Sequence, residues 1–145
     1  MAVATVGGVG YAPIAPGTAG SAVALLVLWL VPFSRPGLVL YFVVVTVAGL
    51  WAAHVAERVI GGKDPGVIVI DEVAGMTLSV LVLPLTPAVL LTAFVLFRLF
   101  DVVKPPPARL SQRIRGGVGV VIDDLIAGLY ALGVLAGARA LLAWP

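Results

Sequence analysis

The sequence contains no cysteine and a single histidine. Without cysteine the chain has no disulfide, no thiolate nucleophile and no cysteine-rich zinc or iron–sulfur site. Chemistry through a phosphorylated histidine has one candidate, His54, which we interpret as a packing or interface residue, with proton transfer as the alternative. Any catalytic chemistry is therefore expected to depend on carboxylates and a metal ion.

Charged residues are also scarce. They make up 11% of the 145 residues, none precedes Arg35, and the mean hydropathy is +1.18. The apolar stretches run along the whole chain, so we expect a single integral-membrane domain, residues 1–145. Nine basic residues spread along a hydrophobic chain form no nucleic-acid-binding stripe, so a nucleic-acid partner is not expected. The expected surroundings are a lipid bilayer.

Four apolar stretches predict an all-α, polytopic membrane helical bundle with about four to five membrane helices, since about 20 apolar residues cross a bilayer as a helix. They cover residues 20–33, 38–59, 73–97 and 119–143. Pro84 and Pro87 interrupt the third stretch, and prolines remove backbone donors and break or kink helices. This stretch is either one kinked span or a hairpin of two helices.

The two alternatives place the acidic residues differently. A single span would separate Asp71 and Glu72 from Asp101, whereas a hairpin puts them on one side with the glycine-rich N-terminal stretch. The hairpin leaves Arg35 and Arg139 on the far side and gathers the other basic residues on the acidic side. These are Arg58, Lys63, Arg98, Lys104, Arg109, Arg113 and Arg115. By the positive-inside rule, the acidic side faces the cytoplasm.

Five of the seven acidic residues lie in three places: Asp71–Glu72, Asp101 and Asp123–Asp124. A carboxylate beside an apolar segment is costly to desolvate unless it meets a cation, a metal or a hydrogen-bond donor. Asp71 and Glu72 are also explained by their position at the start of a helix. Adjacent aspartates in an apolar helix point more strongly to function. All five are candidate catalytic residues and candidate ligands of Mg²⁺, which prefers carboxylate oxygens.

Two further segments suit a phosphate group. Arg98 and Lys104 flank Asp101 at intervals of three residues, and both could bind phosphate, with an Arg98–Asp101 ion pair as the alternative. Thr18 and Ser21 end a glycine-rich stretch where the first helix should begin, and a helix N-terminus binds phosphate well. Here the alternative is a flexible arm with a Thr or Ser cap.

Glycines surround the Asp123–Asp124 pair: Gly116, Gly117 and Gly119 precede it and Gly128 follows it. Glycine lets helices approach closely in a membrane. We therefore expect these glycines to bring Asp123 and Asp124 to the other acidic residues.

Other classes of protein remain open from the residues alone. A small ion or proton transporter would use the acidic residues to bind a travelling ion, and it would spread them across the membrane depth. A non-catalytic lipid-binding or assembly subunit would tolerate the loss of a single carboxylate. The sequence indicates no oligomeric state.

Four ordered motifs carry a resemblance to a known family. They are GxGxxPxAPGTxGS at residues 8–21, DExxG at 71–75, FRxxDxxKPxP at 97–107 and GGxGxxxDDxxAG at 116–128. With these motifs over nearly its whole length, the chain resembles bacterial phosphatidylglycerophosphatase A. The resemblance implies Mg²⁺-dependent removal of the terminal phosphate of phosphatidylglycerophosphate, giving phosphatidylglycerol, at the cytoplasmic face of the bacterial inner membrane.

The resemblance and the residue chemistry together suggest a mechanism. Mg²⁺ would be held by some of Asp71, Glu72, Asp101, Asp123 and Asp124, and a remaining carboxylate would act as base or acid. Arg98 and Lys104 would stabilise charge on the transferring group, and Thr18 and Ser21 would bind other phosphate oxygens. Direct attack by water and an aspartyl-phosphate intermediate both remain open.

Overall fold

The structure is a computed structural model that describes residues 1–62, 65–111, 114 and 117–142, and these residues form helices and no strand. A short 3-10 turn, Val9–Tyr11, precedes six α-helices. They are α1 (Pro16–Leu30), α2 (Arg35–Ile60), α3 (Ile70–Leu78), α4 (Pro87–Val103), α5 (Ala108–Ser111) and α6 (Gly117–Leu142). The all-α prediction is confirmed for this part of the chain. The predictions made for Lys63, Arg113, Arg115 and Gly116 lie outside the described residues.

The helix boundaries follow from local sequence signals. The Ser34 hydroxyl accepts a hydrogen bond from the backbone N–H of Gly37, and Thr86 accepts one from Val89, so each caps the N-terminus of a helix. Both helices carry proline in their first two positions, where its missing N–H costs nothing. α2 ends at Gly61, which has a left-handed backbone conformation.

The prolines divide the third apolar stretch into two helices, as the hairpin alternative requires. α3 ends at Leu78, and α4 begins at Pro87 after an irregular turn. With nine residues, α3 is only about 14 Å long. Eight of the nine are buried, so α3 lies inside the bundle, in contact with α1, α2 and α6.

Two helices in the described part of the chain are long and apolar enough to cross a membrane, namely α2 and α6, with 26 residues each. The expected four to five is therefore too high a count of such helices. The expectation counted apolar stretches, whereas the prolines that end them leave 15 residues in α1 and 17 in α4. The two long apolar helices indicate a membrane protein.

Glycines allow α6 to lie directly on its neighbours. A Cβ atom on Gly75 of α3 would lie 2.6 Å from the carbonyl oxygen of Asp124, and one on Gly128 would collide with the carbonyl oxygen of Gly75. At the start of α6, a Cβ atom on Gly117 would collide with the backbone nitrogen of His54 on α2. The expectation that glycines bring α6 close to the other helices is confirmed for Gly117 and Gly128. Gly119 instead lies close to the backbone of Ile114 and Ser111, just before α6.

Arg35 fixes the end of the molecule where the third stretch turns. Its Nη1 donates to the carbonyl oxygen of Leu83 at 2.8 Å and to that of Leu81 at 3.3 Å. These carbonyls lie in the irregular turn after α3, where no helix satisfies them. In an apolar environment such carbonyls need a donor, so Arg35 stabilises the break between α3 and α4.

Replacing Gly128 by alanine should destabilise the fold, because the added Cβ would force α3 and α6 apart. We expect Gly128→Ala to lower the free energy of unfolding by about 1–3 kcal/mol, the usual cost of overpacking. Gly133→Ala on the same helix is the matched control, since a Cβ there meets nothing within 4 Å. Thermal unfolding in detergent checks both variants, and equal midpoints would contradict the packing argument.

Candidate active site

One cleft contains all five predicted carboxylates. Because α3 begins and α4 ends at the same end of the bundle, residues that are distant in sequence meet there. The cleft has a volume of about 280 Å³ and is lined by Gly66, Ile68, Asp71, Glu72, Asp101, Val102, Lys104, Asp123 and Asp124. A larger, apolar groove of about 730 Å³ lies at the opposite end, around Arg35, and carries no acidic residue among its lining. The chemistry-bearing residues therefore define the smaller cleft as the candidate site.

Three of the carboxylates form a tight group. Asp71, Glu72 and Asp124 each offer one oxygen, and these oxygens lie within 4.8 Å of one another. Glu72 Oε2 and Asp124 Oδ2 are buried and accept no hydrogen bond within the described part of the chain. Buried carboxylates at this separation repel each other unless a cation or protons intervene. An oxygen-only donor set of this kind fits Mg²⁺.

The other two carboxylates are already paired with cations. Asp101 lies between Arg98, whose Nη1 is 2.5 Å from Oδ2, and Lys104, whose Nζ is 3.4 Å from Oδ1. Lys104 Nζ also donates to Asp123 Oδ2 at 2.5 Å. The Arg98–Asp101 ion pair, an alternative from the sequence, is therefore present. The Lys104–Asp123 pair joins the end of α4 to α6 and was not predicted.

Lys104 occupies a constrained position at the rim of the cleft. It follows the last residue of α4 in a left-handed backbone conformation, with φ of 47°, which non-glycine residues adopt rarely. Burial by itself would lower the pKa of its ammonium group. The hydrogen bond to Asp123 and the negative charges of Asp123 and Asp101 outweigh burial and raise this pKa above its ordinary value, so Lys104 stays charged.

The first turn of α1 reaches the acidic group through its backbone. A Cβ on Gly17 would collide with Glu72 Oε1 and would crowd the guanidinium of Arg98. Ser21, one turn along, is buried and donates to the carbonyl of Gly17 at 2.8 Å. Thr18 is half-buried on the same turn as Gly17. The Thr or Ser cap considered from the sequence is wrong, because α1 begins at Pro16 and its N-cap residue is Ala15, which makes no side-chain hydrogen bond.

The predicted site residues lie at different positions relative to the cleft. Lys104 lines the cleft together with the five acidic residues, and Arg98 contacts one of them, Asp101, without lining the cleft. Thr18 lies on the first turn of α1, and Ser21 donates to its own helix. The metal-binding and phosphate-binding roles of these residues stay predictions. His54, an exposed residue of α2, does not line the cleft.

Tyr130 supports one side of the cleft and was not predicted from the sequence. Its hydroxyl donates to the carbonyl of Pro106, and its ring lies 5.5 Å from that of Phe100. Both partners flank Lys104 in sequence, so Tyr130 holds the segment that carries this lysine. The available signal was spacing, since Tyr130 lies two helical turns after Asp123 and shares its side of α6.

These features define a helical membrane protein with a carboxylate-rich, cation-bounded cleft at one end. The sequence profile described as Phosphatidylglycerophosphatase A matches residues 2–139. The chain belongs to the phosphatidylglycerophosphatase A family, as the four motifs indicate.

Three curated relatives share much of the sequence. A Bacteroides thetaiotaomicron protein with the provisional name phosphatidylinositol-3-phosphatase is 39% identical over 91% of this chain and 88% of its own length. Phosphatidylglycerophosphatase A of Escherichia coli K12 is 37% identical over 88% of this chain and 76% of its own length. The Haemophilus influenzae protein of that name is 33% identical over 81% and 75%. No solved structure matches the chain.

Lys104 and Asp123 should be energetically coupled, because each is the close partner of the other's charge. Lys104→Met should destabilise the fold more in the wild-type background than in Asp123→Asn, with a coupling energy of about 1–3 kcal/mol. Thermal unfolding of both single variants and the double variant measures it. Arg109→Met, which removes an exposed cation five residues away, should change stability by less than about 0.5 kcal/mol. Strictly additive effects of the two substitutions would refute the coupling.

Proposed function

We propose that the protein is a Mg²⁺-dependent lipid phosphatase that hydrolyses the terminal phosphate monoester of phosphatidylglycerophosphate and releases phosphatidylglycerol. The observation that carries this proposal is the group of three carboxylates of Asp71, Glu72 and Asp124 beside the cations Arg98 and Lys104, in a chain of the phosphatidylglycerophosphatase A family. Candidate ligands of a metal ion and candidate donors to a phosphate therefore lie next to each other.

Asp71, Glu72 and Asp124 are the residues that would hold Mg²⁺. When bound, the ion would neutralise phosphate oxygens and lower the pKa of a water molecule. Asp101 and Asp123 have a different role in this proposal. They are counter-ions that hold the side chain of Lys104 at the rim and that of Arg98 beside Asp101.

The phosphate is bound by Arg98 and Lys104 in this scheme. The guanidinium and the ammonium both keep donors for phosphate oxygens beyond those used by Asp101 and Asp123. The backbone N–H groups in the first turn of α1 add donors at a helix N-terminus, beside Gly17 and Thr18. Phosphate charge that grows in the transition state is thereby stabilised from two sides.

Hydrolysis requires one bond to form and one to break. A water oxygen attacks phosphorus opposite the leaving glycerol oxygen, and a cleft carboxylate takes the water proton. The glycerol oxygen leaves and takes a proton from solvent water or from a protonated cleft carboxyl group. An aspartyl-phosphate intermediate, formed by one carboxylate and hydrolysed by water, is the alternative.

The proposed location is the bacterial cytoplasmic membrane. α2 and α6 would span it, and α1, α3 and α4 would pack against them within the bilayer to complete a multi-pass bundle. The cleft would face the cytoplasm, because Arg98, Lys104 and Arg109 lie at its end of α4 and beyond. A transporter is not favoured, since the acidic residues gather at one end and do not follow a path through the bundle.

Substrate choice between two lipid phosphate monoesters remains to be measured. The Bacteroides relative is named for phosphatidylinositol 3-phosphate, whereas two other relatives are named for phosphatidylglycerophosphate. Because both lipids present a phosphate monoester beside hydroxyl groups, the cleft chemistry suits either. The named family favours phosphatidylglycerophosphate, and phosphatidylinositol 3-phosphate is the comparison substrate.

The purified protein should release inorganic phosphate from phosphatidylglycerophosphate in detergent micelles with Mg²⁺ and not with EDTA. Asp71→Asn and Asp124→Asn should each lower kcat at least about a hundredfold, since even the groups that only support a metal ligand are worth ten- to a hundredfold. Glu57→Gln, on α2 and away from the cleft, is the control carboxylate. Undiminished phosphate release in EDTA would overturn the metal dependence. Faster release from phosphatidylinositol 3-phosphate would make that lipid the preferred substrate.

The division of the carboxylates into two sets is tested by metal binding without turnover. Mg²⁺ should raise the thermal midpoint of the wild type, because a ligand that binds only the folded state stabilises it. The rise should vanish in Asp124→Asn and persist in Asp101→Asn. Loss of the rise in Asp101→Asn would make Asp101 a metal ligand.

A further inference from the structure

The outer face of α4 carries an apolar stripe. Leu91, Val95, Leu99 and Val102 are 50%, 63%, 52% and 70% exposed. Their spacing of four, four and three residues places them on one side of the helix. The opposite side packs into the core, where Phe97 is completely buried. No described residue covers the stripe, so it faces the surroundings of the protein.

Val102 belongs to both the stripe and the cleft. It lines the cleft beside Asp101 and Lys104, and it is the most exposed residue of the stripe. The stripe therefore begins at the mouth of the cleft and leads away from it along α4. Val95 lies about 10 Å from Val102 along the helix axis, since each residue adds 1.5 Å.

At the cleft end of α4, ionic and apolar groups lie next to each other. Arg98 borders the stripe, because it lies four residues before Val102, and its guanidinium is paired with Asp101. The four residues of the stripe carry no charge. A lipid whose phosphate lies in the cleft has tails that must leave through the mouth, and removing their CH₂ groups from an apolar environment is costly.

We propose that the stripe binds an acyl chain of the lipid substrate while the phosphate monoester occupies the cleft. This proposal rests on the proposed function and adds a substrate-docking surface to it. Val102 contacts the chain near the glycerol backbone, and Leu99 and Val95 contact it progressively deeper. The stripe thereby orients the headgroup towards the carboxylates and favours substrates with long chains over short ones.

Kinetics with substrates of two chain lengths test the stripe. Val95→Ser and Leu91→Ser should raise KM for dioleoyl phosphatidylglycerophosphate about three- to tenfold, because they remove apolar contact with the deep part of the chain. KM for the dihexanoyl substrate, whose chains end before Val95, should stay within about twofold. Val43→Ser and Val47→Ser on the exposed face of α2 are the matched controls and should change neither value.

The comparison separates the two proposals. Turnover of the dihexanoyl substrate at the wild-type rate shows that a variant is folded. Equal effects of the α2 and α4 variants, or equal effects on both substrates, would overturn the stripe and leave the phosphatase function intact. If the wild type hydrolyses neither lipid, the proposed function is wrong. The binding experiment below then tests by itself whether the stripe binds an acyl chain of the lipid.

The absence of cysteine makes a direct binding measurement simple. A single cysteine at position 99, or at position 43 as the control, can carry a bimane label in nanodiscs. Phosphatidylglycerophosphate with brominated chains should quench Leu99→Cys at least about twofold more than brominated phosphatidylcholine does, as preferential binding requires. At Val43→Cys the two lipids should quench alike. The proposal would be overturned if the two lipids quenched alike at position 99 as well as at position 43. It would also be overturned if neither lipid quenched the label at position 99 because a second copy of the chain covers the stripe.

Discussion

The direct contact between α3 and α6 is the constraint on which the site depends. Asp71 precedes Gly75 by four residues on α3, and Asp124 precedes Gly128 by four on α6. Residues four apart share a side of a helix, so each aspartate lies one turn from the glycine at the crossing. The helices touch there without side chains between them. This close crossing brings the two carboxylates within ligand distance, and a bulkier crossing would separate them.

The same contact creates an electrostatic problem that the cleft solves only in part. The carboxylates of Asp101 and Asp123 are balanced by Arg98 and Lys104. The other three carboxylates, if ionised, leave the cleft strongly negative. A phosphate dianion would be repelled by such a cleft, because buried charges are weakly screened. A divalent cation would offset two of these three negative charges and so weaken the repulsion among the carboxylates and the repulsion of the phosphate. This is the physical ground for the proposed dependence on Mg²⁺.

Much of the site could be predicted because few residues in this chain can do ionic chemistry. Scarcity of charge singled out Asp71, Glu72, Asp101, Asp123 and Asp124, and the prolines at 84 and 87 indicated the break that brings them to one end. The Lys104–Asp123 pair and the contact of Gly17 with Glu72 could not be predicted, since both depend on how separate helices pack. The number of spanning helices was wrong for a related reason. Hydropathy reports how apolar a stretch is, whereas its helical length is decided by where prolines and caps end it.

The left-handed backbone conformation of Lys104 affects which substitutions would stabilise this position. A left-handed conformation at the end of a helix is the usual place of glycine, and a residue with a side chain tolerates it at a cost of about 1–3 kcal/mol. Glycine, which has no charge, would therefore stabilise this helix end better than lysine does. Selection for stability and selection for the cation act in opposite directions at this single position. A more thermostable relative with glycine at this position would have gained backbone stability and lost the ammonium group.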